Sequence, residues 1–218
     1  RNWLELVTLA ERDSALAESF RGTLASLLFS GSNGVAPSVI VITSASAGEG
    51  KTTITTNLGI ALAATNRRVL LIDGNSRNPR LHDIFRVPGT WGFSDLLQSA
   101  TPCEEYNSED LALETEIPGL SVLPSGSNSS SIPDLLYHRR AAELIFRLRS
   151  EFDAILIDTP PVLTYADARA LGKLGDGVVL VIRAVHTPID SAVAAWSRLF
   201  EDGVHGLGTI LNDFRARS

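Results

Sequence analysis

Val39-Ile40-Val41-Ile42-Thr43-Ser44-Ala45-Ser46-Ala47-Gly48-Glu49-Gly50-Lys51-Thr52-Thr53 is the stretch from which the fold can be read. The branched apolar run predicts a buried strand, the two glycines predict a tight turn, and Thr52 to Ala64 reads as a helix. A strand, a glycine turn and a helix N-terminus make a phosphate-binding device. Backbone N–H groups point into the loop, the lysine reaches the outer phosphates and the threonine hydroxyl holds Mg²⁺. Gly48 and Gly50 adopt backbone angles that other residues resist and let the chain approach phosphate closely. Lys51 is one of only two lysines, the other being Lys173, against seventeen arginines. Buried without a partner it would be costly, so a polyanionic ligand is the natural explanation.

Outward from this loop the pattern alternates β and α. Strands are predicted at Ser38–Thr43, Val69–Asp73, Ala154–Asp158, Val178–Ile182 and Leu207–Leu211, with a weak one at Leu120–Leu123. Most are nearly unbroken runs of Val, Ile and Leu, as parallel strands read when crossover helices cover both faces. Helices are predicted from Asp13 or Ser14 to Phe29, Phe93 to Ser99, Pro133 to Arg149, Tyr165 to Leu174 and Ile189 to Phe200. The expected architecture is a three-layer α/β/α fold with a mostly parallel central sheet, of the phosphate-loop NTPase type. A single nucleotide-binding domain over residues 1–218 accounts for the chain, with residues 1–30 as an N-terminal strap and helix. The strap carries Trp3, Leu4, Leu6, Val7 and Leu9. Asn78 to Thr90 reads as irregular, and Glu104 to Glu116, with six acidic residues and no basic one, as a solvated excursion. Ser125 to Ser131 has a linker's composition, but it follows a strand on the loop's edge of the sheet, where it is able to line the site.

Two more apolar runs end in aspartate: Val69-Leu70-Leu71-Ile72-Asp73 and Ala154-Ile155-Leu156-Ile157-Asp158. Both deliver a carboxylate to the carboxyl edge of the sheet, where ligands bind in open α/β folds. With Thr52 they offer hard oxygen ligands for Mg²⁺, partly through water. Arg77 is placed either to pair with Asp73 or to neutralise phosphate charge. Asn212, at the end of the last strand, either offers its amide to an adenine edge or caps the strand.

Composition narrows the classes. A net charge of -6 argues against nucleic acid as a partner. The single Cys103 excludes an intrachain disulfide, and four scattered histidines have no metal-ligand spacing. No run approaches the roughly 20 apolar residues that a membrane span requires. The absence of methionine makes a fragment of a longer protein the favoured expectation.

These motifs resemble one group: the cytoplasmic domain of bacterial tyrosine kinases tied to capsule and exopolysaccharide export. That group lies within the deviant phosphate-loop ATPases that also include septum-placing and plasmid-partitioning proteins. Thr43 to Thr53 resembles the family's first nucleotide motif, Leu70 to Pro79 its second and Ile155 to Pro161 its third. Gly92 to Leu97, Leu123 to Gly126 and Ile210 to Asn212 are further similarities. Ser46, where partitioning ATPases have a signature lysine, favours the kinase branch. The resemblance implies ATP or ADP and Mg²⁺ as cofactors. Gly48, Glu49, Gly50, Lys51, Thr52, Thr53 and Asn212 would bind nucleotide, and Lys51 would hold the β- and γ-phosphates. Thr52, Asp73 and Asp158 would serve the metal, Asp73 would orient or deprotonate a tyrosine hydroxyl, and Asp158 would act on the metal's water shell. It also implies a membrane-bound polysaccharide co-polymerase or chain-length regulator as partner, fused or separate, a tyrosine-containing protein substrate, and a cytoplasmic location at the inner face of the membrane.

Three features depart from the family pattern. Asn75 stands where a second aspartate is usual, so a Mg²⁺ ligand there would carry no charge. In the self-association motif Glu-x-x-Arg-x-x-Arg, Glu18 and Arg21 are present and Leu24 replaces the last arginine. Only Tyr106, Tyr137 and Tyr165 are present, with none after Asn212. Beside an active kinase, the alternatives are therefore a catalytically impaired nucleotide-binding regulator of polysaccharide export and an ATPase switch of the septum-placing kind.

Overall fold

The computed structural model describes residues 4–30, 35–127 and 132–213. Trp3 of the strap, residues 31–34 of the first turn and residues 128–131 of the serine-rich segment lie outside the described residues. Seven strands form one sheet: β1 (Val39–Ser44), β2 (Val69–Asp73), β3 (Leu113–Glu114), β4 (Leu120–Leu123), β5 (Ala154–Asp158), β6 (Gly177–Arg183) and β7 (Gly206–Asn212). Their order is β3-β4-β2-β5-β1-β6-β7, parallel throughout except for the β3–β4 pair. The expected layered, mostly parallel architecture is what the chain forms.

The strand runs sort by parity. Val39, Val41, Leu70, Ile72, Ile155, Ile157, Val178 and Leu180 face one core. Ile40, Ile42, Val69, Leu71, Leu156, Val179 and Val181 face the other. Successive side chains on a strand point to opposite faces, so an uninterrupted apolar run is what two covered faces demand. The first face carries α5 (Phe93–Gln98), α8 (Arg139–Glu151), α9 (Asp167–Leu174) and α10 (Ile189–Glu201). The second carries α2 (Ala15–Phe29), α3 (Lys51–Ala63) and α4 (Leu81–Phe85). Helix α3 is buried on nearly every side, because α2 and the N-terminal segment cover the flank turned away from the sheet.

That segment, a turn at Leu4–Leu6 followed by α1 (Val7–Ala10), is pinned by one side chain of α3. Asn57 Nδ2 donates to the Leu4 carbonyl at 2.8 Å and its Oδ1 accepts from Thr8 N at 2.9 Å. Ser14 caps α2 by accepting from Ala17 N at 3.1 Å.

Three expectations need correction. The stretch read as irregular contains α4, whose first turn is tied to Asp73. The acidic excursion contains α6 (Ser108–Leu111) and the antiparallel β3, which Leu111 and Ala112 anchor in the core. The helix expected from Pro133 to Arg149 is two helices, α7 (Ile132–Leu135) and α8, because the chain turns at residues 136–138 and buries Leu136. Ser125, the first residue of the serine-rich segment, and Pro124 before it accept the N–H groups of Ser94 and Phe93 at 2.9 and 2.8 Å and hold the start of α5.

Candidate nucleotide-binding site

All three sequence motifs reach the carboxyl edge of the sheet. Gly48 and Gly50 turn the chain through φ of 77° and 95°, the left-handed region that favours glycine. Gly50 directly precedes α3, so the loop opens onto that helix's N-terminus. Lys51 is buried and its Nζ donates to Ser44 Oγ at 2.8 Å. Burial lowers its pKa, while the carboxylates of Asp158 and Glu49 act in the opposite direction.

Asp73 and Asp158 are direct register partners on β2 and β5 and both are buried. Thr52 Oγ1 donates to Asp158 Oδ2 at 2.6 Å, and Asp158 Oδ1 is buried with no hydrogen-bond partner. Burial, and after it the negative charge of Asp73, pushes the Asp158 carboxyl up to about 7, against the pull of Thr52 and Lys51. Burial also raises Asp73, offset in part by three backbone donors. Its Oδ2 accepts from Arg80 N at 2.8 Å and Leu81 N at 3.0 Å, and its Oδ1 from Asn75 N at 3.2 Å. Asp73 thereby shapes the whole connection between β2 and α4.

Lys51, Thr52, Thr53, Gly48, Gly50, Asn75, Arg77, Arg80, Pro160 and Tyr165 line a cavity of about 470 Å³. Thr52 and Asn75 line this cavity, and Asp158, fully buried, is reached from it through its bond with Thr52; their oxygens are of the hard type that a divalent cation takes. A second cavity of about 830 Å³ shares Gly48 and Thr53 with the first and runs between α2 and the end of β7, lined by Leu16, Phe20, Ile210, Leu211 and Asn212.

Arg77 lines the first cavity but does not pair with Asp73, as one expectation had it. Its Nη1 donates to Asp167 Oδ1 at 2.7 Å, and its guanidinium carbon lies 3.9 Å from the centre of the Tyr165 ring. Asp73 is already committed to backbone N–H groups, so the arginine takes the next carboxylate. Asn212 is neither free nor merely a strand cap: its Nδ2 donates to the Glu49 carbonyl at 2.9 Å. Glu18 and Arg21 line neither cavity; they lie on the exposed side of α2, paired to each other at 2.6 Å.

Sequence reasoning missed Ser44, Tyr165, Asp167 and Thr187. Thr187 bonds Glu49 from 138 residues away and Asp167 bonds Arg77 from 90. The one available signal was position: Asp167 opens a helix and Thr187 precedes Pro188 at the start of another, both just beyond strands that end at this edge.

A family model described as an AAA domain matches residues 37–191. Tyrosine-protein kinase YwqD of Bacillus subtilis is 32% identical over 95% of this chain and 85% of its own length. Tyrosine-protein kinase CpsD of Streptococcus agalactiae is 32% identical over 96% of this chain and 89% of its own. The chain belongs to the bacterial tyrosine kinases of capsule biosynthesis, within the MinD/ParA-like phosphate-loop ATPases. Among solved structures, the chimerical protein CapA2B2 superposes with a TM-score of 0.88 at 32% identity, covering 97% of this chain and 91% of that one.

Proposed function

We propose that this chain is an ATP- and Mg²⁺-dependent protein-tyrosine kinase domain serving exopolysaccharide or capsule biosynthesis and chain-length control. The observation that carries the reading is the convergence of Lys51, Thr52, Asp158 and Asp73 on one edge of the sheet, with Asp158 Oδ1 buried and unpartnered. In this reading the N–H groups of Gly48 to Thr53 cradle the phosphates, and Lys51 leaves Ser44 for the β- and γ-phosphate oxygens. Arg77, held by Asp167 and Tyr165, neutralises charge on the transferring group. The base occupies the larger cavity beside Asn212.

Thr52 and Asp158, with Asn75 and Asp73 nearby, would hold Mg²⁺, which when bound neutralises developing charge on the phosphate oxygens. Asp73 orients or deprotonates the acceptor phenol, giving up backbone N–H bonds that hold it in the nucleotide-free chain, as the phenolic oxygen bonds to the γ-phosphorus and the bond to the β-bridging oxygen breaks. Positioning and charge neutralisation supply most of the rate in such transfers. The names of the relatives support tyrosine as acceptor. The partner in this reading is a membrane-bound polysaccharide co-polymerase or chain-length regulator, which places the domain at the inner face of the cell membrane. No helix among the described residues is long and apolar enough to cross a membrane by itself. Glu18 and Arg21 would contribute to self-association.

Asn75 favours a second reading, a nucleotide-binding regulator with impaired catalysis, because an amide brings no charge to the metal and is no base. Titration with Mg·ATP and with ATP lacking Mg²⁺ tests the shared part of both readings. Binding that requires Lys51 and strengthens in Asn75→Asp is expected. No binding by the parent at millimolar nucleotide would overturn both.

A further inference from the structure

Glu49 is an unexpected residue for a polyphosphate site. It is 4% exposed, its charge is close enough to Lys51 to perturb it, and a second negative group at the loop opposes an incoming anion. Its contacts explain what it does there. One carboxylate oxygen accepts the Ser46 N–H at 2.9 Å, bracing the start of the loop against its middle. The other accepts the Thr187 hydroxyl, and the Glu49 carbonyl accepts Asn212 Nδ2. One residue thus gathers the loop itself, the β6–α10 connection and the end of β7.

The Thr187 hydroxyl has no freedom of direction. Its oxygen accepts Arg183 N at 2.9 Å, which leaves its single proton for Glu49. The connection is closed by Thr187 N to Arg183 O at 2.9 Å and tied to β7 by Ala184 N to Asn212 O at 2.8 Å. Holding that closure puts Val185 at φ 66° with its side chain fully exposed. A β-branched residue in the left-handed region is strained, and no burial of Val185 offsets it. The strain persists because the bonds on either side over-determine the turn. Asn212 in turn sits where Gly50 has no side chain: a Cβ there would lie 2.0 Å from its Nδ2.

We propose that Thr187, acting through Glu49 and together with Asn212, is a positioning residue that sets the phosphate loop in its binding shape before nucleotide arrives. The inference rests on the nucleotide-binding reading and adds that β-phosphate affinity depends on a hydroxyl outside the loop. The test is competitive titration of ADP and AMP, both with Mg²⁺, against the parent, Thr187→Val and Thr187→Ser, with melting temperatures of the nucleotide-free proteins. Thr187→Val should bind ADP about tenfold more weakly, the equivalent of one net hydrogen bond. AMP, which has no β-phosphate, should change much less, and Thr187→Ser should restore ADP binding. Equal ADP affinity in Thr187→Val overturns the inference. So does parallel loss of both nucleotides, which marks general damage to the site, or a failure of Thr187→Ser to restore binding when its melting temperature matches the parent. A parent that binds neither nucleotide removes the nucleotide-binding reading itself, a distinct result.

Discussion

Asp158 is the residue whose environment makes the sharpest demand. Its carboxyl titrates near 7 in the fold and at 3.8 in a model peptide, so between these values the unfolded chain holds fewer protons than the folded one. Stability of the nucleotide-free protein should therefore fall as pH rises from about 4 to about 7 and level off above that. Asp158→Asn removes this loss. Its melting temperature should exceed the parent's by a margin that grows across that window, while its Mg²⁺-dependent nucleotide binding disappears. Thermal melts from pH 4 to 8 check the first part and calorimetric titration the second. Arg77 belongs to the same scale: Asp167→Asn should weaken its orientation and lower kcat about tenfold or more, with a smaller effect on KM for ATP, both read from steady-state rates. Asp73 and Asp158 were legible because each ends an apolar run. Asp167 and Thr187 were not, since only the folded sheet brings them to the loop.

At the scale of elements, Asp176 joins three of them. Its carboxylate accepts Ser38 N at 2.7 Å and Val39 N at 2.8 Å at the start of β1, and Arg149 of α8 at 2.8 Å, immediately before β6. Burial pushes its pKa up, but Arg149 and the two backbone donors outweigh burial and bring it to about 2. This carboxylate stabilises the fold above the unfolded value of 3.8 and loses that contribution as pH falls through about 2. Asp176→Asn should destabilise the protein by ~1–3 kcal/mol at pH 7, judged from the loss of charge-assisted hydrogen bonds. Denaturant midpoints at pH 7 and below 3 should differ accordingly, with the gap between variant and parent closing in acid. The strands themselves were readable to within a residue or so, because a parallel strand buried on both faces leaves an unmistakable apolar run. The two-residue β3 carries no such pattern in Leu113-Glu114 and exists by pairing with β4. The break between α7 and α8 was hidden because helical spacing continues across the turn at 136–138 that buries Leu136.

At the scale of the molecule, the carboxyl edge of the sheet carries the proposed nucleotide site while the exposed side of α2 carries the pair Glu18–Arg21. An exposed pair of this kind contributes little to folding. Arg21→Ala should leave the melting temperature of the isolated chain within a degree or two, and a changed mass in light scattering would assign the arginine to contacts between copies. Chemistry is assigned to the N-terminal end of α3, where the phosphate loop opens. Transfer of labelled γ-phosphate from Mg·ATP to a tyrosine-rich peptide, with the parent beside Lys51→Ala and Asn75→Asp, tests it most directly. The account predicts phosphotyrosine formed by the parent, lost in Lys51→Ala and increased in Asn75→Asp. Mg·ATP bound by the parent without any phosphotyrosine would contradict it and leave a nucleotide-binding regulator in its place.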